Sequence, residues 1–178
     1  MSTRIDKSSS VIGNKITNVV REATGVDLET DLQTFRFLIQ LSNGLILEML
    51  PGDIRQCDYL PGVGSAANHE VVIDARPDIV GEKIITIATY VFGSSSASSE
   101  QPLNPMPPHP ASRLYDVPRH VALIFSSGRV AINVYLCGGI SELHVDSLEG
   151  LIKHFGKPWR DYWTDEILEL ERLHVTAK

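Results

Sequence analysis

A thiol, an imidazole and a carboxylate lie close together in the sequence, at Cys137, His144 and Asp146. These are the side-chain types of a cysteine nucleophile, its general base and the acid that orients the base. Such a triad is defined by geometry, and the sequence shows neither a helix N-terminus nor an oxyanion-binding loop beside Cys137. A cysteine at a strand end is more often a small buried apolar residue, so an enzyme of this type is kept only as an alternative.

The sequence does not indicate a cofactor or a metal. No two histidines have HxH, HxxxH or HExxH spacing; the six are His69, His109, His120, His144, His154 and His174. His69 and Glu70, with Asp74, could supply two zinc ligands, whereas a zinc site needs three or four. The segment Gly62-Val63-Gly64-Ser65 lacks the Gly-Lys-Ser/Thr that completes a phosphate-binding loop, so we interpret it as a turn.

The richest aromatic patch contains both tryptophans of the chain and follows a predicted helix. Aromatic and arginine side chains dominate the energetics of protein interfaces, so this patch is a candidate partner-binding site. Its candidate residues are Trp159, Arg160, Asp161, Tyr162, Trp163, Asp165 and Glu166. The competing interpretation is a cap that closes a small core. We expect a division between the two roles, with Trp159 buried and Trp163 partly exposed.

Composition and charge limit the classes of partner. The chain has 178 residues, of which 43% are hydrophobic and 21% charged, with a formal net charge of −6. A negative chain disfavours nonspecific binding to nucleic acid or to an anionic membrane, and it suits a basic protein partner. A homodimer is also compatible with these features.

The compartment is predicted from the first residues and the cysteines. Residues 1–10 are polar and contain no apolar segment of the kind found in signal peptides. No window has the apolar length of a membrane span. Cys57 and Cys137 form no spacing motif and are expected to be reduced thiols. Together these features predict a cytoplasmic protein.

Two hairpins are the elements that must position any site. Residues 35–50 (FRFLIQLSNGLILEML) and 121–136 (VALIFSSGRVAINVYL) each have the pattern of two strands joined by a turn. Before the first turn, large apolar side chains alternate with others, which places them on one strand face and Arg36 on the opposite face. Asn43-Gly44 and Ser127-Gly128 supply turn residues that tolerate positive φ. This pattern argues against a buried helix.

The two hairpins are predicted to belong to an internal duplication. The segment Gly13-Asn14-Lys15-Ile16 precedes the first hairpin, and Gly81-Glu82-Lys83-Ile84 precedes the second. Chance similarity between amphipathic strands is the alternative. The second copy is longer because it contains residues 93–112, a Ser- and Pro-rich segment that predicts a surface excursion. Pro105 and Pro108 give this segment PxxP spacing, which is common in any Pro-rich loop.

Local signals predict the remaining elements. Ser147 is a typical N-cap, the apolar residues after it share one helix face, and Gly156 is a typical helix stop, so a helix is expected between them. The other expectations are a disordered lead at 1–10, a strand at 11–24 with a helix as the alternative, a turn at 26–33, a loop at 51–69, a short strand at 70–74, a turn at 76–78, a strand at 83–92, and a helix at 166–175 with a strand as the alternative.

These elements predict an α+β fold: duplicated three-stranded antiparallel β-meander units, forming one sheet or two packed sheets, with one or two C-terminal helices. Residues 11–178 are expected to form one domain, with β units at 11–50 and 80–136 and a C-terminal helical segment at 147–178. Three classes of function remain open. They are a non-enzymatic acidic binding protein, such as a bacterial toxin-neutralising immunity protein, a small-ligand sensor or structural subunit that uses the cleft between the repeats, and an enzyme. We favour the first, because charge complementarity to a basic toxin gives fast association.

Overall fold

In the residues that the structure describes, most of the regular structure belongs to two antiparallel β-sheets, and one α-helix lies before the last two strands. The computed structural model describes residues 2–6, 11–27, 32–50, 52–60, 71–72, 75–91, 119–135, 141–173 and 175. The strands and the helix are β1 (Ser2–Arg4), β2 (Ile16–Asp27), β3 (Leu32–Leu41), β4 (Ile46–Leu50), β5 (Asp53–Cys57), β6 (Val71–Val72), β7 (Ile84–Val91), β8 (Arg119–Phe125), β9 (Arg129–Tyr135), β10 (Ser141–Ser147), α1 (Leu148–Phe155), β11 (Trp159–Asp161) and β12 (Ile167–Leu168). Short 3₁₀ turns occupy Pro77–Ile79 and Leu170–Arg172.

The strands form two six-stranded sheets. The order in the first is β1-β5-β4-β3-β2-β6, and the order in the second is β10-β9-β8-β7-β11-β12. Each predicted meander is present, as β2-β3-β4 in the first sheet and β7-β8-β9 in the second. The α+β class with two packed sheets and a C-terminal helix is therefore confirmed, and the strand predicted at 11–24 is present as β2.

The turn residues predicted from the sequence shape both hairpins. Gly44 and Gly128 have positive φ values of 85° and 83°, which glycine adopts without steric cost. The side chain before each glycine also accepts a hydrogen bond from the backbone just after it: Asn43 Oδ1 from the amide of Leu45 at 3.1 Å, and Ser127 Oγ from the amide of Arg129 at 3.3 Å. The two turns are therefore built in the same way.

The two sheets share a reciprocal pair of backbone hydrogen bonds. The amide of Gly13 donates to the carbonyl of Ile84 at 2.8 Å, and the amide of Gly81 donates to the carbonyl of Ile16 at 2.8 Å. Gly13 corresponds in sequence to Gly81, and Ile16 corresponds to Ile84, so each bond is the counterpart of the other. The segments that match in sequence therefore also match in backbone pairing.

Apolar side chains fill the space between the sheets. The fully buried members of this core include Ile16, Val19, Ile39, Leu41, Leu47, Ile84, Ile87, Leu123 and Phe125. A second cluster lies on the outer face of the second sheet, under the buried Leu151 of α1. The outer face of the first sheet carries a smaller cluster of Val20, Leu38 and Cys57. The second sheet is thus covered by apolar contacts on both faces.

Helix α1 lies between Ser147 and Gly156, the two capping residues from which it was predicted. The hydroxyl of Ser147 accepts a hydrogen bond from the amide of Gly150 at 3.0 Å, and Gly156 ends the helix with a φ of 78°. In the part of the chain that the structure describes, no helix has the length and apolarity needed to cross a bilayer.

Two segments that were predicted to lack strands contain them. Ser2–Arg4, in the predicted disordered lead 1–10, pairs with β5, and the following Ile5 is buried. Strand β5, Asp53–Cys57, lies within the predicted loop 51–69. Both strands are largely polar, and their neighbours in the sheet, rather than an apolar pattern, set their conformation.

Two further predictions are corrected. The turn predicted at 26–33 is shorter, because Val26–Asp27 of β2 pairs with Leu32–Gln33 of β3. The helix predicted at 166–175 is replaced by β12 and a 3₁₀ turn, because β12 pairs with β11. Strand pairing outweighs the intrinsic helix preference of this leucine- and glutamate-rich segment. The Ser- and Pro-rich residues 93–112 lie outside the described residues.

Candidate functional site

The predicted partner-binding residues fall on one β-hairpin, residues 159–168, which we call the aromatic hairpin. Strand β11 pairs on one side with β7 of the second sheet and on the other with β12. The amide of Asp161 donates to the carbonyl of Glu166 at 2.8 Å, which closes the hairpin. Asp165 ends the turn with a φ of 60°, a left-handed conformation that aspartate tolerates better than most residues.

The carboxylate of Asp161 holds the turn in one conformation. Its Oδ1 atom accepts hydrogen bonds from the amides of Trp163 and Thr164, each at 2.9 Å, and from the Thr164 hydroxyl at 3.2 Å. The Arg160 guanidinium donates to the carbonyl of Asp165 at 2.9 Å from the other side of the turn. Two of the predicted site residues, Asp161 and Arg160, therefore fix the hairpin's shape.

Trp159 and Tyr162 belong to the core. Trp159 is 1% exposed, donates its indole N–H to the carbonyl of Gly156 at 3.1 Å and packs on Tyr90. The Tyr162 hydroxyl donates to the carbonyl of Ile54 in the first sheet at 3.1 Å, so this side chain joins the two sheets. For these two residues the interpretation as a core cap is correct.

The residues of the hairpin that reach the surface include Trp163, Asp165, Glu166 and Ile167. Trp163 is half-buried, packs edge-on against Tyr162 at 5.4 Å and donates its indole N–H to the carbonyl of Ile5 at 3.3 Å. Ile167 is 62% exposed, the highest value among the exposed large apolar residues of the described chain. The side chain of Asp165 is 78% exposed, and Glu166 is also exposed. The expected division between a buried Trp159 and a partly exposed Trp163 is confirmed.

Ile167 is a site residue that the sequence interpretation missed. In the helix predicted at 166–175 it would be one apolar position among several. In strand β12 its side chain points away from that of Leu168, which packs on the cluster under α1. The near-alternation of leucine and glutamate in this segment was the available signal, because it left a strand possible.

The residues of the possible cysteine enzyme are only partly brought together. His144 and Asp146 lie on the same face of β10, with 3.8 Å between Nε2 and Oδ2, and His154 Nε2 of α1 lies 3.5 Å from the same oxygen. Cys137 lies outside the described residues. Asp146 Oδ1 accepts the amide of Ser147 at 2.7 Å, so this carboxylate takes part in the start of α1.

Within the described ranges, no three or more histidine, cysteine, aspartate or glutamate side chains are arranged to hold a metal ion. The other groups considered for metal or phosphate binding lie outside those ranges: His69, Glu70, Asp74, His109, His174 and the segment 62–65.

His120 is a buried titratable group that the sequence did not single out. It is 1% exposed on the outer face of the second sheet, where its ring lies 4.9 Å from that of Phe155 in α1. Burial lowers the pKa of this imidazole to about 4, because the charged form is poorly solvated there. His120 is therefore neutral at physiological pH and belongs to the packing of α1.

The buried charges of the first sheet form an ion-pair cluster. The Arg36 guanidinium lies between the carboxylates of Glu22 and Glu48, at 2.6 Å and 2.8 Å. Both glutamates are buried, and the Tyr59 hydroxyl also donates to Glu22 at 2.8 Å. These contacts satisfy charges within the sheet, which is a structural role.

The aromatic hairpin is therefore the candidate site that combines exposed apolar side chains with a fixed backbone. Comparison with known proteins supplies no role for it, because no protein-family model, no curated protein and no solved structure matches the chain.

Proposed function

We propose that this chain is a non-enzymatic binding protein that acts in the cytoplasm on a basic protein partner, as a bacterial toxin-neutralising immunity protein does. The observation that carries the proposal is that the partly exposed Trp163 and the 62% exposed Ile167 both lie on a hairpin whose turn is held by Asp161. Rigid aromatic and aliphatic anchors on a preorganised turn lose little conformational entropy on binding.

The charge of the hairpin favours a basic partner. Asp165 and Glu166 are exposed beside the apolar anchors, and Glu166 forms no ion pair with any residue that the structure describes. The chain as a whole carries a formal charge of −6. Complementary charges at the rim of an interface increase the association rate and select against like-charged partners.

A ligand cleft between the repeats is less well supported. Among the described residues, the place where the repeats meet is occupied by side chains such as Ile16, Ile84 and Phe125, each 0–1% exposed. A small ligand at this place would have to displace packed apolar side chains, which destabilises a core.

Affinity capture with matched variants tests the proposed function. The purified tagged chain, Ile167→Ala and Glu166→Lys are each incubated with lysate of the source cells, and retained proteins are identified by mass spectrometry. Ile12→Ala is the control, because Ile12 is also an exposed apolar residue, at 44%, but lies outside the hairpin. We expect one basic protein to be retained by the wild type and the control, and to be lost from both hairpin variants. Retention that is equal for all four proteins, or a copurifying small molecule in native mass spectrometry, would contradict the proposal.

A further inference from the structure

Strands β5 and β10 occupy equivalent positions in the two sheets. Each follows the third strand of its meander, and each pairs antiparallel with that strand. The outer side of β5 is covered by β1, which pairs with Arg55, Gln56 and Cys57. In the part of the chain that the structure describes, no strand covers the outer side of β10.

The strand registers locate the equivalent residues on β10. Arg55 pairs with Glu48, which lies four residues after the turn glycine Gly44. His144 pairs with Ile132, which lies four residues after the turn glycine Gly128. His144 therefore corresponds to Arg55, and residues 144–146 of β10 correspond to the three residues that β1 covers in the first sheet.

The carbonyl just before each of these stretches is capped in the same way. In the first sheet, the carbonyl of Ile54 accepts a hydrogen bond from the Tyr162 hydroxyl. In the second, the carbonyl of its counterpart Leu143 accepts one from the guanidinium of Arg76. The cap at Ile54 coexists with β1 further along the strand, so a cap at Leu143 does not by itself exclude a strand beside Val145.

The backbone groups of Val145 face away from β9. In an antiparallel ladder, alternate residues direct their N–H and C=O groups toward one neighbour, and the residues between them direct theirs away. The carbonyl of Leu143 is bound by Arg76 and the amide of Ser147 by the side chain of Asp146, so both face away from β9. Val145 is two residues away from each of them along the strand, so its N–H and C=O groups also face away from β9. Its backbone is the part of this edge to which a further strand can add.

We propose that β10 accepts an extended segment of a partner protein as an additional antiparallel strand, and that this segment carries basic side chains on one face. Leu143 and Val145 point into the core side of the sheet, whereas Glu142, His144 and Asp146 point to the other side. Glu142 is exposed and interacts electrostatically with Arg76, but it forms no ion pair within the described residues, so lysine or arginine on the added strand has a carboxylate to face. This edge is the opposite edge of the sheet from β12, so the proposal does not depend on the aromatic hairpin.

A second copy of this chain is a poorer occupant of the same edge. In the register that overlaps the whole strand, two antiparallel β10 strands are centred on His144. Glu142 then lies opposite Asp146 of the second copy at both ends of the pairing. Like charges directly opposite each other destabilise a strand pair. A basic segment of a different protein avoids this repulsion.

Nuclear magnetic resonance on the full chain tests the proposal. The probe is a synthetic peptide of alternating lysine and valine, as long as β10 at 7 residues, and the control peptide replaces each lysine with glutamate. We expect the lysine peptide to shift the amide signals of Leu143 and Val145 and to slow their hydrogen exchange. We expect the glutamate peptide to bind at least about tenfold more weakly.

Three variants make the result specific. Val145→Pro removes the edge amide, and Val145→Ala is its control, because it loses similar packing but keeps the amide. Binding of the lysine peptide should be lost in the proline variant and retained in the alanine variant. Glu142→Lys, at an exposed position, should weaken binding without affecting folding, so the test stands even if the proline variant is unstable. Equal binding of both peptides, shifts confined to the aromatic hairpin, or concentration-dependent protection of Val145 without peptide would each overturn the proposal.

Discussion

The side-chain amide of Asn133 donates a 2.9 Å hydrogen bond to the carbonyl oxygen of Met49, its counterpart in the other sheet. Each residue lies five positions after the turn glycine of its own hairpin. The bond therefore joins β9 to β4 across the core, in a region where both residues are at most 1% exposed. A polar side chain in one repeat thus satisfies a backbone group at the equivalent place in the other.

Asn133→Ala should lower the free energy of unfolding by about 1–3 kcal/mol, because it leaves the buried carbonyl of Met49 without this donor. Urea denaturation followed by circular dichroism measures the change. Gln40→Ala is the control, because Gln40 is half-exposed on β3 and its removal should cost less than about 0.5 kcal/mol. Equal costs for the two variants would show that the bond between the sheets contributes little.

Arg36→Ala should be about as destabilising as Phe37→Ala. The strand pattern places the two side chains on opposite faces, which by itself suggests that Arg36 is dispensable. Because Arg36 lies between two buried carboxylates, its removal should cost about 3–5 kcal/mol, similar to the loss of the buried Phe37. Denaturant melts of both variants give the comparison. A cost for Arg36→Ala below about 1 kcal/mol, typical of exposed ion pairs, would contradict this role.

The fold could be predicted where the local pattern and the sheet agree. In the strand that ends at Leu41 and in the turn at Asn43-Gly44, alternation and positive-φ residues each indicate the hairpin that forms. Strand β5 could not be predicted in this way, because its sequence DIRQC has few apolar residues and its pairing with β4 and β1 decides its conformation. The same argument applies to β12, which pairs with β11 despite a preference for helix.

The candidate site could be located from the sequence, but its parts could not be assigned. The clustering of aromatic residues predicted the segment that forms the aromatic hairpin. Burial depends on residues far away in the chain: Tyr162 is buried because its hydroxyl reaches Ile54, and Trp163 is half-covered because its indole reaches Ile5. Neither contact can be predicted from the local sequence, so the structure was needed to assign each side chain to the core or to the surface.

The stability of the protein should fall as the pH is lowered from about 6.5 to about 4, because of His120. Its pKa in the folded state is lowered to about 4 by burial, whereas the unfolded imidazole titrates near 6.5. Between these values the unfolded state takes up a proton that the folded state does not, so stability is lost with decreasing pH. The loss is on the order of 3 kcal/mol at most and is complete below the folded pKa. Asp78, whose pKa is lowered to about 2 chiefly by its hydrogen bond with Arg76, titrates below this window.

Urea melts at several pH values measure this dependence. His120→Gln removes the titrating imidazole, so the fall in stability between pH 6.5 and 4 should be smaller in this variant. Gln40→Ala is the control, since it removes no titratable group and should leave the dependence nearly unchanged. The same slope in wild type and His120→Gln would show that other groups cause the acid sensitivity.

The two tryptophans should respond differently to substitution. Trp159→Ala should cost about 3–5 kcal/mol of stability, because it empties a buried site beside Tyr90. Trp163→Ala should cost less, since its side chain is already half-exposed, but it should weaken partner binding by about 2 kcal/mol or more. Denaturation measures the first quantity, and titration calorimetry with the captured partner measures the second. Fluorescence of the single-tryptophan variants Trp159→Phe and Trp163→Phe supplies an independent check on the isolated chain. The Trp163 signal should be accessible to a soluble quencher and the Trp159 signal protected; protection of both would place Trp163 in the core and remove it from the proposed interface.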